Sequence, residues 1–156
     1  MPYKITPYAA LACCLLSSAA HADITVSFRD SAPKDIFTLR NDAGCDLGRV
    51  AVTIDLSGSA SGLIFDTTAS GAGVQVFQPF EIVEGGAYLT TLPDVSDGMT
   101  ALTLDFARFP AGADLRFTID VDDTLPRGQW GQIRVSGGEM AGAEVAVRDA
   151  RAAFDA

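Results

Sequence analysis

The chain has 156 residues, of which 20 are acidic, 11 are Lys or Arg and one is His, so its formal net charge at pH 7 is −9. A surface of this sign repels phosphate backbones, which argues against nucleic acid as a partner, and it attracts cations. A chain of this length is typical of a single domain built around one hydrophobic core.

Residues 1–22 have the pattern of a secretory signal peptide. Lys4 gives a positive start, an apolar run follows over residues 8–16, and small residues flank His21 before a predicted cleavage after Ala22. The apolar run is too short for a membrane-spanning helix, which needs about 20 apolar residues. We therefore predict a secreted or periplasmic protein with no membrane span.

The predicted cleavage also removes the only histidine and two of the three cysteines, Cys13 and Cys14. Without an imidazole, the usual general base and the usual partner of a catalytic thiolate are missing. Cys45 would then be a single thiol, which we interpret as an inert group near a turn or as a disulfide partner between two chains. The sequence predicts that the protein is not an enzyme.

Short runs of alternating apolar and polar residues recur along the rest of the chain, with turn signals between them. They predict about ten strands and no sustained amphipathic helix. The Ser- and Gly-rich stretch at 57–62 predicts a turn between strands, not a linker between domains. In chain order the runs are 24–28, 36–39, 50–56, 63–65, 74–77, 87–89, 102–106, 115–119, 133–135 and 145–147.

One apolar face per strand is typical of antiparallel sheets that each pack that face against another layer. Because no helices are predicted to cover them, two sheets must cover each other. We predict an all-β, antiparallel two-sheet β-sandwich, jelly-roll or immunoglobulin-like, that forms a single domain over residues 23–150. A closed β-barrel is the alternative, and residues 151–156 are predicted to be a C-terminal tail.

The candidate metal ligands are carboxylates at strand ends. An acidic run follows the predicted strand 115–119, where period two puts Asp120 and Asp122 on one face and Asp123 in the next turn. Calcium takes six to eight oxygen ligands, so carboxylates at this spacing, with loop carbonyls, could supply half a site. The alternative is that these aspartates cap turns by accepting bonds from backbone N–H groups. The predicted ligands are Asp120, Asp122 and Asp123, with Asp55 and Asp66, and also Asp97, as candidates from neighbouring loops.

Two alternative functions depend on other side chains. Trp130, the single tryptophan, lies between glycines and could stack on a sugar ring, which would make the protein a carbohydrate-binding module. The competing interpretation is that Trp130 plugs one end of the sandwich. A small glycoside hydrolase is less favoured, because no motif surrounds the glutamate pairs that would serve it. These pairs are Glu81 with Glu84 and Glu139 with Glu144.

Four stretches, at 31–41, 54–67, 117–125 and 131–137, resemble a family of small secreted bacterial proteins, chiefly from marine alphaproteobacteria. The family carries the label "aggregation factor core protein", borrowed from a sponge adhesion proteoglycan. The resemblance spans nearly the whole predicted mature chain. It implies an extracellular or periplasmic β-rich protein with a role in adhesion, and the sponge comparison implies that this adhesion is linked to calcium. It implies no catalytic residues.

These expectations combine into one prediction about function. The chain is expected to be a secreted, non-catalytic adhesion or binding module stabilised by calcium. Its partner would be an extracellular protein or a glycan.

Overall fold

The computed structural model describes residues 23–31, 34–71, 73, 77–124 and 135–149. The predicted signal peptide, Trp130, the predicted tail, and most or part of the predicted strands at 74–77 and 133–135 lie outside these residues. Within the described ranges the chain forms eight β-strands and one short 3₁₀ helix at Gly86–Tyr88. The strands are β1 (Ile24–Arg29), β2 (Asp35–Asn41), β3 (Val50–Asp55), β4 (Ile64–Asp66), β5 (Glu81–Glu84), β6 (Ala101–Phe106), β7 (Asp114–Asp122) and β8 (Glu144–Asp149).

The strands form two sheets in which every pair is antiparallel. The larger sheet has five strands in the order β1-β2-β7-β4, and β5 pairs with β7 outside this path. β7 therefore has β2 along one edge and shares its other edge between β5 and β4. The smaller sheet has the order β6-β3-β8. The two sheets pack face to face over one core, which confirms the predicted β-sandwich.

The core follows the alternation of the strands. Phe37 on β2 lies directly opposite Phe117 on β7, and their rings stack with centroids 5.1 Å apart. Truncating a buried ring of this kind typically costs about 3–5 kcal/mol. The other strand residues that fill the core are Leu39, Val50, Val52, Ile54, Phe65, Leu102, Leu104, Phe106, Leu115, Ile119 and Val121.

Two segments differ from the sequence predictions. The predicted strand at 87–89 is wrong, because Gly85 has a φ of 78° and leads into the 3₁₀ helix, so that Leu89 makes only an isolated bridge. β5 was not predicted, because its residues do not alternate in polarity. It is a strand because β7 pairs with it, with a register shift between Ile82 and Glu84.

The Ser- and Gly-rich stretch forms a compact turn that carries the chain from β3 in one sheet to β4 in the other. Ser59 is buried, and its Oγ accepts a 2.7 Å hydrogen bond from the backbone N–H of Leu63. The turn packs against a second turn before β8, where a Cβ on Gly58 would lie 2.6 Å from the carbonyl oxygen of Gly142. This close approach requires glycine at position 58.

Cys45 is exposed in the turn after β2, and its thiol is free. Across the ranges described above, no helix is both long and apolar enough to cross a membrane.

Candidate metal centre

Three of the aspartates come together on the outer face of the larger sheet. β4 pairs with the end of β7 so that Asp66 lies directly opposite Asp120. Paired residues of antiparallel strands point to the same face, as do alternate residues of one strand. Because Phe65 and Val121 point into the core, Asp66, Asp120 and Asp122 all point to the outer face.

The three carboxylates are close enough to share one ion. One carboxylate oxygen from each of Asp66, Asp120 and Asp122 lies within 4.8 Å of the other two. Although they are on the outer face, these residues are only 0 %, 7 % and 3 % exposed, respectively. In the described part of the chain, no other group of three His, Cys, Asp or Glu side chains meets in this way.

The connection from β4 to β5 covers the outer face at this point. The chain leaves at Asp66 and returns at Gln78, whose N–H donates to the Asp66 carbonyl at 3.3 Å and whose carbonyl accepts from Asp120 N–H at 3.1 Å. Between them, Gly73 lies against the carboxylates. A Cβ on Gly73 would be 2.3 Å from Asp66 Oδ2 and 2.6 Å from Asp122 Oδ2, so a larger residue there would displace the connection or the carboxylates.

One oxygen of the cluster has no hydrogen-bond donor. Asp66 Oδ2 is fully buried and has no hydrogen-bond partner. A desolvated carboxylate oxygen without a donor destabilises the folded state unless a proton or a cation neutralises the charge. The cluster thus has the charge, the ligand chemistry and an unpartnered oxygen that suit a bound cation.

The raised pKa values of two of these carboxyl groups also favour a bound cation. Burial raises the pKa of Asp66 to about 7, and the Asp97 and Asp122 side chains add to this shift. Burial also raises the pKa of Asp120 to about 7, followed by the negative charges of Asp122, Asp35 and Asp66. Both carboxyl groups are therefore partly protonated near neutral pH, and a cation would compete with those protons.

Asp35 is a fourth buried carboxylate beside this group. It begins β2, and its two oxygens accept hydrogen bonds from the N–H groups of Ser31 at 2.9 Å and Val121 at 3.2 Å. Burial nevertheless raises the pKa of Asp35 to about 6. The sequence did not single out Asp35, because its proximity to the cluster results from the pairing of β2 with β7.

The other predicted ligands, Asp55, Asp123 and Asp97, are not part of the group of three carboxylates. Asp55 ends β3 in the other sheet, where hydrogen bonds from Ser57 hold the pKa of Asp55 below its usual range. Asp55 therefore caps a turn, which is the alternative role given above for these aspartates. Asp123 is buried directly after β7 but does not join the group of three. Asp97 lies beside Asp66 and accepts backbone N–H bonds from residues 67 and 68.

The structure adds little to the alternative functions. Trp130 lies outside the described residues, so the carbohydrate-binding hypothesis stays a prediction. A shallow groove of about 490 Å³ on the outer face of the larger sheet has no aromatic side chain in its lining on which a sugar could stack. Its lining residues are Ser27, Arg29, Ile36, Thr38, Val83 and Arg116.

The glutamates of the hydrolase alternative make surface contacts. Glu81 is ion-paired with Lys34 at 3.0 Å, and Glu84 lies 3.5 Å from Arg116. The Glu139 carboxylate accepts a hydrogen bond from the N–H of Ser136, and Glu144 begins the exposed strand β8.

Comparison with protein-family models, with curated proteins and with solved structures gives no match to this chain. The resemblance to the aggregation factor core proteins therefore stays a prediction.

Proposed function

We propose that this protein is a secreted, non-catalytic adhesion or binding module whose sandwich is stabilised by a calcium ion bound to Asp66, Asp120 and Asp122. The observation that carries the proposal is the meeting of three buried carboxylates around an oxygen without a donor. Neither the adhesion role nor the absence of catalysis follows from this geometry. The resemblance of the sequence supports the first, and the predicted loss of the only imidazole supports the second.

The ligand chemistry favours calcium over transition metals. The group consists of carboxylate oxygens alone, which are hard ligands, whereas zinc and copper sites usually contain His or Cys. Calcium–oxygen bonds are about 2.4 Å long, so ligands on opposite sides of one ion are about 4.8 Å apart. The separation of the carboxylate oxygens is within that span.

A bound calcium would tie together three parts of the chain. Asp66 ends β4, Asp120 and Asp122 belong to β7, and the connection that carries Gly73 lies against them. Neutralising the buried negative charges removes their mutual repulsion, so the ion would stabilise this side of the sandwich. Extracellular modules typically bind calcium with dissociation constants of about 10⁻⁴–10⁻³ M, so the ion would bind on export.

The test is thermal unfolding in chelator and in excess calcium. If free calcium is about 100 times the dissociation constant, binding stabilises the folded state by about 2.7 kcal/mol. For a domain of this size, that corresponds to a rise in Tm of about 10 °C. An unchanged Tm in calcium at up to about 100 mM, which is about 100 times the weakest dissociation constant in this range, would contradict the calcium proposal.

The variant Asp122→Asn sharpens this test, because its two effects have opposite signs. In chelator it should favour the folded state at neutral pH, because it removes the repulsion that the Asp122 charge exerts on Asp66 and Asp120. In calcium it should lose most of the stabilisation. Asp55→Asn is the matched control: it keeps the turn-capping oxygen in the other sheet and should respond to calcium like the parent.

The adhesion role is tested separately, by retention of the purified protein on bacterial cell surfaces with calcium and with chelator. We expect retention that depends on calcium and is reduced in Asp122→Asn. If the protein binds calcium but is not retained on any surface, the site stands and the adhesion role fails.

A further inference from the structure

β8 is the strand at one edge of the smaller sheet. In the order β6-β3-β8 it pairs with β3 on one side, and no strand of the described ranges pairs with its other side. All six of its residues are exposed. Exposed edges are usually protected by charged side chains, especially Lys, by Pro, by a β-bulge or by a covering segment. β8 contains neither Lys nor Pro, and its register with β3 is continuous over all six positions. Its charged residues are of both signs, so they can pair across the edge as well as protect it.

The core-facing side of β8 is also exposed. Val145 lies opposite Ile54 of β3, and Val147 lies opposite Val52, so both valines point to the side of the sheet that faces the core. Ile54 and Val52 are 2 % and 0 % exposed, whereas Val145 and Val147 are 47 % and 37 % exposed. The apolar side of the smaller sheet thus extends one strand beyond the layer that covers it.

We propose that β8 pairs antiparallel with β8 of a second copy of this chain. The two-fold axis would be perpendicular to the sheet and pass through the Ala146 pair. This register puts Glu144 opposite the partner's Arg148 and Val145 opposite the partner's Val147, and it repeats both contacts by symmetry. The two three-stranded sheets would join into one sheet of six strands.

The sequence of β8 favours this register over the registers that are centred on the adjacent residues. A two-fold axis perpendicular to the sheet keeps the core-facing sides of both copies on the same side, and it requires a register centred on one residue. Centring on Val145 or on Val147 would put Ala146 opposite Glu144 or opposite Arg148, respectively, and leave the charges unmatched. Only the Ala146 register matches the charges and also pairs the exposed valines.

The occupant is a second copy because the edge is complementary to itself. Glu144 and Arg148 lie two positions before and after Ala146, and Val145 and Val147 lie one position before and after it. When a second β8 pairs antiparallel with the first at Ala146, each charge therefore faces the opposite charge and each valine faces a valine. The proposal does not depend on calcium, because the carboxylate cluster belongs to the other sheet. Self-association and calcium binding can therefore succeed or fail separately.

The test uses sedimentation of the purified protein in reducing buffer, so that a disulfide through the exposed Cys45 does not contribute. The parent should form dimers as its concentration rises. Glu144→Arg or Arg148→Glu alone should weaken dimerisation on the order of tenfold to a hundredfold, because like charges then face each other twice. Neither change harms the protomer, since position 144 faces Asp55 and position 148 faces Ala51 of β3.

Mixing the two variants gives the decisive result. The Glu144→Arg copy carries two arginines and the Arg148→Glu copy two glutamates, so each position in the mixed pair faces the opposite charge. We expect a 1:1 heterodimer from two variants that are each monomeric alone. A parent that stays monomeric at about 1 mM, a dimer insensitive to both changes, or variants that fail to combine would each overturn the proposal.

Discussion

The two sheets of the sandwich depart from simple alternation in opposite ways. On the outer face of β4 and β7, where exposed side chains are expected, Asp66 and Asp120 are buried. On the core-facing side of β8, where buried side chains are expected, Val145 and Val147 are exposed. The cause differs in each case: the β4–β5 connection covers the outer face, whereas no layer within the described residues fully covers the core-facing side of β8.

The comparison shows what strand alternation does and does not determine. It determines the side of the sheet to which a residue points, which it predicted correctly for Asp120 and Asp122 and for the two valines. Burial depends in addition on what lies above that side. Each region therefore has an unmet requirement: the buried Asp66 Oδ2 lacks a hydrogen-bond donor, and the two valines lack a complete covering surface.

The largest expected effect is on the free energy of unfolding. It comes from truncating one of two valines that lie opposite each other, Val52 on β3 and Val147 on β8. Val52→Ala on β3 should lower the free energy of unfolding by about 2–3 kcal/mol, because Val52 is fully buried in the core. Val147→Ala on β8 should change it by less than about 0.5 kcal/mol in dilute protein, where association does not contribute. Chemical denaturation measures both, and equal losses would mean that the side chain of Val147 is covered.

The next effect concerns pH and the buried carboxylates. The pKa values of Asp35, Asp66 and Asp120 are raised to about 6, 7 and 7. The folded state therefore holds more protons than the unfolded state between about pH 4 and pH 7. Their contribution to stability is fully present below about pH 4 and is lost as pH rises through 6–7.

In chelator the protein should accordingly be more stable at pH 5 than at pH 8, by a few kcal/mol. Saturating calcium should reduce this difference, because the ion replaces the protons at high pH. Denaturant midpoints at the two pH values test the prediction. A protein that is more stable at pH 8 in chelator would show that these carboxylates are not neutralised on folding.

The smallest effect is expected at the covering connection. In Gly73→Ala the new Cβ would overlap Asp66 Oδ2 and Asp122 Oδ2, so the connection must move away from the cluster. We expect calcium affinity to fall about tenfold, equal to about 1.4 kcal/mol. Calorimetric titration measures the affinity. Gly44→Ala is the control, because a Cβ there meets no atom within 4 Å.

Sequence patterns predicted most of the fold because alternation is a local property. β1, β3, β6 and β7 were all recognised from residues that alternate in polarity within each strand. β5 and the 3₁₀ helix at Gly86–Tyr88 were not, because the first depends on its pairing with β7 and the second on the left-handed conformation of Gly85.

The candidate site was predictable only in part, for the same reason. Period two placed Asp120 and Asp122 together, and Asp66 was a candidate because it ends a strand. That Asp66 lies opposite Asp120, while Asp55 lies in the other sheet, follows from strand order, which no local pattern contains. The close approach of Gly73 depends on a long connection folding back, which local sequence also does not predict.

The position of β7 in the chain has a consequence for folding kinetics. β7 is the shared partner of β2, β4 and β5, and Asp35 on β2 is bonded to a residue 86 positions later. The larger sheet therefore cannot assemble until the ribosome has produced the chain through β7, which ends at Asp122. Contacts between residues so distant in sequence are slow to form, so the nascent polypeptide should stay unfolded for most of its synthesis and remain a substrate for chaperones until β7 emerges.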